Sequence, residues 1–487
     1  MSLSSSPPSA AVPAQDTARI PSLDMLRGMA VIGILVISIW EFGGFTTNQQ
    51  LFYQTGTHGG NYTLMTIVSV LFEGKMRALL ALVFGAGIIL FLRSKEQQPA
   101  LLSPGDAYIR KMLWLIGFGL INAFLLVWPG DILFQYGVLG ILLYGFNRMK
   151  ARGLFIAAIL CTLIYCGKQY WTYADDRSDL KKWLAVKKVE DKFKQDSTSR
   201  AQKDSADRKK DTVLMKDVLL KNKMADSLAK KNDTLTKEQS DAKEKWEGKI
   251  KSLKYDSAAT KASNKLMQSN RWKKIAYQLM MKTQQKQSYW LYSIGIWDIG
   301  SMMLLGMALL GFGFFSPRYP TQRYLLIALL GIAAGIFLAW LRIHLQSIRL
   351  VDYEKYIEKQ AVPYNQFFPV ERLLLATGYA SLVLWFLRMN VFGVIWKIFA
   401  TVGRMALSNY ILQTIICTFF FYGYGFGFFG RLNQWELYFF VAEVTLVQVV
   451  FSVLWQRFYV LGPVEWLWRS LVYRKWLPNR RVVSREP

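Results

Sequence analysis

Three cysteines and two histidines are all that this 487-residue chain offers to metal, thiol and imidazole chemistry. Cys161, Cys166 and Cys417 fall inside apolar runs without metal-ligand spacing, so no zinc ribbon and no disulfide framework is visible and the three read as small packing residues. His58 and His344 are the only candidates for an imidazole base. No Gly-rich phosphate loop, no serine elbow and no metal constellation appears, which leaves P-loop, hydrolase-type and metal-assisted chemistry without a carrier. Residues 1–20 are rich in Ser, Pro and Ala and lack an apolar core, so they read as a disordered tail (1–21) and not as a signal peptide. Acidic residues are also scarce: 33 Asp and Glu stand against 60 Lys and Arg, for a net charge of +27. Nucleic acid is not the expected partner, because the excess sits in one segment and beside apolar runs.

Those runs dominate the rest. Candidates lie at 26–45, 76–92, 111–128, 130–147, 153–170, 297–315, 324–341, 372–388, 406–428 and 436–457. About 20 apolar residues cross a hydrocarbon core, so the expected fold is an all-α, polytopic transmembrane bundle of about ten spans, with the lipid bilayer as its partner. Runs 111–128 and 130–147 are separated by Pro129 alone, which predicts a tight hairpin. Arg93, Lys95, Arg110 and Lys111 crowd one inter-run loop, Arg148, Lys150 and Arg152 the next on that side, and the series continues to an Arg-rich tail. The positive-inside rule then places both termini in the cytoplasm of a cytoplasmic (inner) membrane protein.

The expected organisation is an N-terminal membrane half (22–170), an insert (171–288), a C-terminal membrane half (289–461) and an interfacial helix with a basic tail (462–487). The insert holds 30 Lys and Arg against 17 Asp and Glu and by alternation faces outward. Its apolar residues recur at helical spacing (Val186, Val189, Phe193; Trp246, Ile250, Leu253), and Thr236 with Gln239 forms a capping-box pattern. A helical hairpin of two arms of about 50 residues, roughly 75 Å each, is expected; a disordered Lys-rich loop is the alternative. An anionic envelope polymer or lipid would suit its charge.

Ionisable groups inside spans are costly and are therefore site candidates. Asp24 and Arg27 stand one turn apart and can pair. Glu73-Gly74-Lys75-Met76-Arg77 interrupts a run too long for one straight span, so a break at Gly74 is expected, either as a half-helix meeting a full span or with 63–72 lying flat on the interface. Asn122 and Asp131 flank the Pro129 hairpin, Asp131 at the outer surface and Asn122 deeper. Asp298 opens the sixth span; Arg342 and His344 close the seventh on the same side. Arg404, Asn409 and Gln413 climb the ninth, and Glu443 and Gln448 in the tenth are placed to meet them, as a site or as hydrogen-bonding helix glue.

Several of these stretches occur in a fixed order. Leu23-Asp24-Met25-Leu26-Arg27-Gly28 opens the series, followed by Leu71-Phe72-Glu73-Gly74-Lys75-Met76-Arg77, Phe84-Gly85-Ala86-Gly87 and Gly130-Asp131-Ile132-Leu133. Met303-Leu304-Leu305-Gly306-Met307-Ala308, Gly403-Arg404-Met405-Ala406 with Asn409-Tyr410 and Gln413, and Gly462-Pro463-Val464-Glu465-Trp466-Leu467-Trp468-Arg469 complete it. In these stretches the chain resembles the YeiB-like family of bacterial membrane proteins, which carry the domain of unknown function 418. The insert is not part of the usual family pattern. The family is in turn similar to membrane acyltransferases that use cytoplasmic acyl-CoA, and the resemblance implies acyl transfer to an envelope or exported acceptor, with no tightly bound cofactor. Relatives often carry His where Asn122 stands and Asn where Ser38 stands, so the resemblance leaves two alternatives, a member without activity or one that takes its base from His58 or His344. On this reading Arg27, Lys75, Arg77 and Arg404 hold the CoA phosphates or the acyl oxyanion. Glu73, His58 or His344 supplies the base, with Asp24 beside them. A transporter without covalent chemistry, or a scaffold acting through the insert, are the opposing classes.

Overall fold

A computed structural model of the chain describes residues 20–45, 59–96, 103–207 and 235–481. His58, most of the 1–21 tail and residues 208–234 of the insert lie outside the described residues. The helices, in order, are α1 (Pro21–Phe42), α2 (Gly60–Leu71), α3 (Lys75–Glu96), α4 (Pro104–Leu120), α5 (Leu133–Leu143), α6 (Ala151–Asp207), α7 (Lys237–Leu253), α8 (Ser257–Met267) and α9 (Trp272–Gln285). They continue as α10 (Ile296–Gly311), α11 (Thr321–Val351), α12 (Tyr353–Lys359), α13 (Phe368–Arg388), α14 (Gly393–Arg404), α15 (Ala406–Phe421), α16 (Gln434–Phe458) and α17 (Pro463–Tyr473). Eight helical stretches are long and apolar enough to cross a membrane, and the shorter apolar helices 133–146 and 406–421 fall on the remaining two apolar runs. The chain is an all-α, multi-pass membrane protein.

Local chemistry sets the starts. Proline stands in the first turn of α1, α4, α13 and α17, where its missing N–H is no loss. Asn433 with Glu436 closes a capping box on α16, and Thr236 with Gln239 does the same on α7. The break at Gly74 is present: α2 stops at Leu71, Gly74 adopts φ +75°, and α3 begins at Lys75.

Two helix crossings hold the bundle's centre. A Cβ on Gly28 would lie 1.9 Å from the Phe399 carbonyl oxygen, and one on Gly403 would lie 1.8 Å from that of Asp24. Helices α1 and α14 therefore touch backbone to backbone. Gly85 against Met303 and Gly306 against Leu82 do the same for α3 and α10. Four of the ordered sequence stretches are thus two pairs of mutual contact surfaces.

The hairpin between α4 and α5 is not the one-residue turn that Pro129 predicts. The helical path ends in a π turn at Ile121–Leu125, and α5 starts only at Leu133. The connection between them is buried beneath the returning arm of the insert, where Thr283 donates to the Ala123 carbonyl and Gln287 to that of Asp131. The rising arm is one continuous helix of 57 residues, α6. The returning arm is not a matching single helix: it breaks into α7, α8 and α9 before passing through a π stretch (Lys286–Gly295) into α10. Ion pairs Lys243–Glu190, Lys245–Asp179 and Lys249–Asp176 zip α7 to α6. Hydrogen bonds to the carboxylates hold Lys243 and Lys245 above the ordinary lysine pKa. Trp246 is buried among Tyr173, Leu180, Tyr353 and Tyr356, so the insert's base is also joined to α12.

Candidate functional site

The α1–α14 crossing brings the opening Asp24 and Arg27 beside Arg404. Asp24 pairs with Arg27 at 3.0 Å, as their spacing predicts. Together with α3, α4, α5, α15 and α17 they enclose a cavity of about 550 Å³, a usual size for a small-molecule site. Its end near the Lys/Arg-rich loops is lined by five cationic side chains, Arg27, Lys95, Lys111, Arg404 and Arg469, against two carboxylates, Asp24 and Glu465. The far end is apolar and aromatic: Leu80, Phe84, Ile132, Leu133, Tyr136 and Tyr410. Along α3 the lining runs from Leu80 to Lys95, a depth of roughly 22 Å at 1.5 Å per residue.

Helix α17 forms part of the charged end. The Trp468 indole N–H donates to the Lys111 carbonyl at 2.9 Å, and the Lys111 ammonium lies 5.1 Å from the Trp468 ring centre. Glu465 closes the start of the short helix α15. One of its oxygens accepts from the backbone N–H groups of Leu407 (2.7 Å) and Ser408 (3.1 Å), the other from the Ser408 hydroxyl. Burial pushes the Glu465 carboxyl above the ordinary glutamate pKa, against those hydrogen bonds, which lower it.

At the apolar end the wall is Tyr410. Its hydroxyl accepts from the Ile132 N–H at 3.2 Å and donates to the Gly130 carbonyl at 3.4 Å. Asp131 is therefore immediately behind it. The expectation that Asp131 sits at the outer surface is wrong: it is 1% exposed, and Asn122 donates to it at 2.8 Å. Its other carboxylate oxygen accepts from Phe134 N–H and so caps α5. The Asn122 carbonyl oxygen is buried with no donor among the described residues.

A third group lies behind this wall, toward the insert end. The Tyr136 hydroxyl donates to the Arg77 carbonyl at 2.9 Å, tying the cavity lining to the start of α3. Lys75 is fully buried, 2.6 Å from Glu371 and 2.7 Å from the Ser69 carbonyl oxygen. Arg342 reaches Glu371 at 2.9 Å and Glu73 at 3.1 Å, and Arg372 pairs with Asp298. Three cations balance three carboxylates. All three cations surround the Phe368 ring, at 5.9 Å for Lys75, 4.8 Å for Arg342 and 4.5 Å for Arg372. Arg77, the next cation along, is exposed and carries no carboxylate partner among the described residues.

Two expected members are elsewhere. His344 is exposed on the outer side of α11, stacked on Trp340, two residues past the buried Arg342. Glu443 is exposed on α16 and does not meet Asn409 and Gln413. Gln448 and Ser452 do: Gln413 donates to Gln448 at 3.1 Å, Gln448 to the Asn409 carbonyl at 2.9 Å, and Asn409 to Ser452 at 2.9 Å. This seam is hydrogen-bonding glue between α15 and α16. Sequence reasoning missed Glu371 and Arg372, which it did not single out, and Lys95 and Lys111, which it read as orientation signals; Arg469 entered only as the end of an ordered stretch. The Trp468-Arg469 end of the last ordered stretch was the available signal for the cavity floor.

Residues 309–475 match the family model described as "Protein of unknown function (DUF418)". Arg342, Glu371, Arg404, Tyr410, Glu465 and Arg469 all fall in that stretch. The chain is 26% identical over 466 residues to "Uncharacterized protein YxaH" of Bacillus subtilis (strain 168), covering 94% of this chain and 96% of that protein. It is 27% identical over 470 residues to "Uncharacterized protein YeiB" of Escherichia coli (strain K12), covering 95% and 99%. No solved structure matches. Matched by that model over residues 309–475 and aligned nearly end to end with both bacterial proteins, this multi-pass membrane protein is similar to the YeiB-like, DUF418 proteins.

Proposed function

We propose that the protein transfers an acyl group from acyl-CoA, entering at the Lys/Arg-rich end, to an envelope or exported acceptor reaching the site from the insert end. The observation that carries this reading is the cavity's polarity: five cations at one end, an apolar and aromatic wall at the other. That gradient suits a ligand with a phosphate-rich head and an uncharged thioester tail. Arg27, Arg404, Lys95, Lys111 and Arg469 hold the phosphates, and the pantetheine arm extends toward Tyr410. The acceptor hydroxyl or amine attacks the thioester carbonyl; the new bond to the acyl carbon forms as the C–S bond breaks, and CoA leaves as the thiolate. For this step the Tyr410 wall moves aside, so that Asp131 behind it takes the acceptor's proton and returns it to the departing thiolate, while the Asn122 carbonyl oxygen positions the acceptor's X–H. Glu73, engaged by Arg342, keeps the neighbouring charges in balance.

This orientation puts the Lys/Arg-rich end and both termini in the cytoplasm of an inner-membrane protein. Lysines of the insert that are not used in the α6–α7 zipper face an anionic envelope polymer or lipid. The test is consumption of labelled acyl-CoA by protein in proteoliposomes, wild type beside Arg404→Ala and Asp131→Asn. Donor-dependent label on lipid or glycan, lost in both variants, supports transfer. Folded protein that consumes no acyl-CoA and instead shows donor-independent solute counterflow is a transporter, the reading favoured by a broken helix (α2–α3) beside a polar cavity.

A further inference from the structure

Helix α16 carries two different faces. Leu437, Val441, Val444, Gln448, Ser452 and Gln456 are buried in the bundle. The outward stripe is apolar, with Phe439 70% exposed and Leu446 64% exposed, and Trp435, Val450 and Phe458 in line with them. Glu443 lies in the middle of that stripe and is itself exposed. It is three residues from the centre of a 25-residue helix, which places it about 13 Å from the helix start at 1.5 Å per residue. A carboxyl at that depth faces hydrocarbon. A charge is costly there, and intramembrane carboxyls otherwise face the bundle interior or a partner. Thr445, the nearest polar neighbour on the helix, spends its hydroxyl on the Val441 carbonyl of its own helix.

We propose that this face of α16 is an interface with a second copy of the chain, closed by hydrogen bonding between the two Glu443 side chains. A carboxylic acid carries one donor and one acceptor, so it is its own complement, as a two-fold interface requires. No lysine or arginine stands on the stripe between Glu436 and Arg457, at the ends of the helix, so a like copy presents nothing better than a second carboxyl. The surrounding side chains (Phe439, Ala442, Leu446, Val447, Val450) form the helix-long apolar strip that packing against another span needs. The ends of α16 fix the depth: Asn433 and Glu436 close one end, and Arg457 occupies the last turn of the other. Two copies in the same orientation therefore place their carboxyls at the same level.

The test counts subunits in liposomes at increasing dilution, by single-molecule photobleaching or energy transfer, for wild type, Glu443→Gln and Glu443→Leu. The expected result is a dimeric wild type, a Gln variant close to it because an amide also donates and accepts, and a Leu variant dissociating at roughly ten-fold higher protein-to-lipid ratio. The position is exposed, so neither change disturbs the bundle's packing. Leu446→Cys, in a background without Cys161, Cys166 and Cys417, should cross-link between copies, whereas Phe337→Cys on the outward face of α11 should not. A monomeric wild type at all dilutions overturns the proposal, and so does a Leu variant that dimerises as tightly as wild type. Cross-linking at Phe337→Cys in place of Leu446→Cys also overturns it.

Discussion

Glu371→Gln should be the most damaging single change in the buried charge network, and the geometry sets the order of the rest. Glu371 bridges Lys75 at 2.6 Å and Arg342 at 2.9 Å, and neither it nor Lys75 has any exposed side-chain surface. Its neutralisation leaves the Lys75 ammonium with the Ser69 carbonyl and leaves three cations facing two carboxylates. Breaking one partner out of a buried pair costs about 3–5 kcal/mol. Glu73 is 34% exposed, and Arg342 keeps Glu371 when it is lost. Glu73→Gln should therefore cost no more than about 1 kcal/mol, as for partly exposed pairs. Lys75→Met should fall between, because Glu371 retains Arg342. The double variant Lys75→Met/Glu371→Gln restores charge balance and should recover roughly 0.5–3 kcal/mol relative to the sum of the singles. The assay is unfolding in mixed micelles with rising dodecyl sulfate, followed by tryptophan fluorescence and far-ultraviolet circular dichroism. Equal losses in the three single variants, or a Glu73→Gln loss matching Glu371→Gln, would refute the assignment of Glu371 as the hub.

Gly403→Ala forces a methyl group into the Asp24 carbonyl and should destabilise at the upper end of about 1–3 kcal/mol, with acyl-CoA binding lost alongside, by isothermal titration. Glu465→Ala uncaps α15 and should lower stability by about 1–2 kcal/mol in the same sulfate titration. Arg404→Ala and Arg27→Ala should each raise the KM for acyl-CoA about ten-fold, more at low salt than at high, because each removes one charge from a phosphate site. Unchanged salt dependence would separate these residues from the donor.

Much of the architecture is readable from local pattern. All ten apolar runs became helices, because run length and hydropathy report the bilayer directly. The Asp24–Arg27 pair, the Gly74 break and the Thr236–Gln239 capping box depend on residues a few positions apart, and each is present. The partners chosen across helices were not readable. Glu371 sits at the mouth of a span, where a carboxylate ordinarily meets water; only the angle of α13 against α3 and α11 turns it inward. Glu443 illustrates a signal available but unused. It lies five residues from Gln448, about 140° around a helix at 100° per residue, so both could not face α15. Ser452, four residues beyond Gln448, was the better companion. Asp131 escaped because the covering element, the returning arm of the insert, is more than 140 residues away in the chain.

Helix α6 leaves the bundle and continues into the insert without a joint, so the tilt of a membrane span is also the tilt of the insert's rising arm. From Trp171 to Asp207 the arm extends roughly 55 Å, and a 10° change in span tilt swings Asp207 by roughly 10 Å. Helices answer changes in hydrocarbon thickness by tilting. The arm is thereby a lever with its fulcrum at the membrane surface, converting a difference of an ångström or two in bilayer thickness into a displacement several times larger at Asp207.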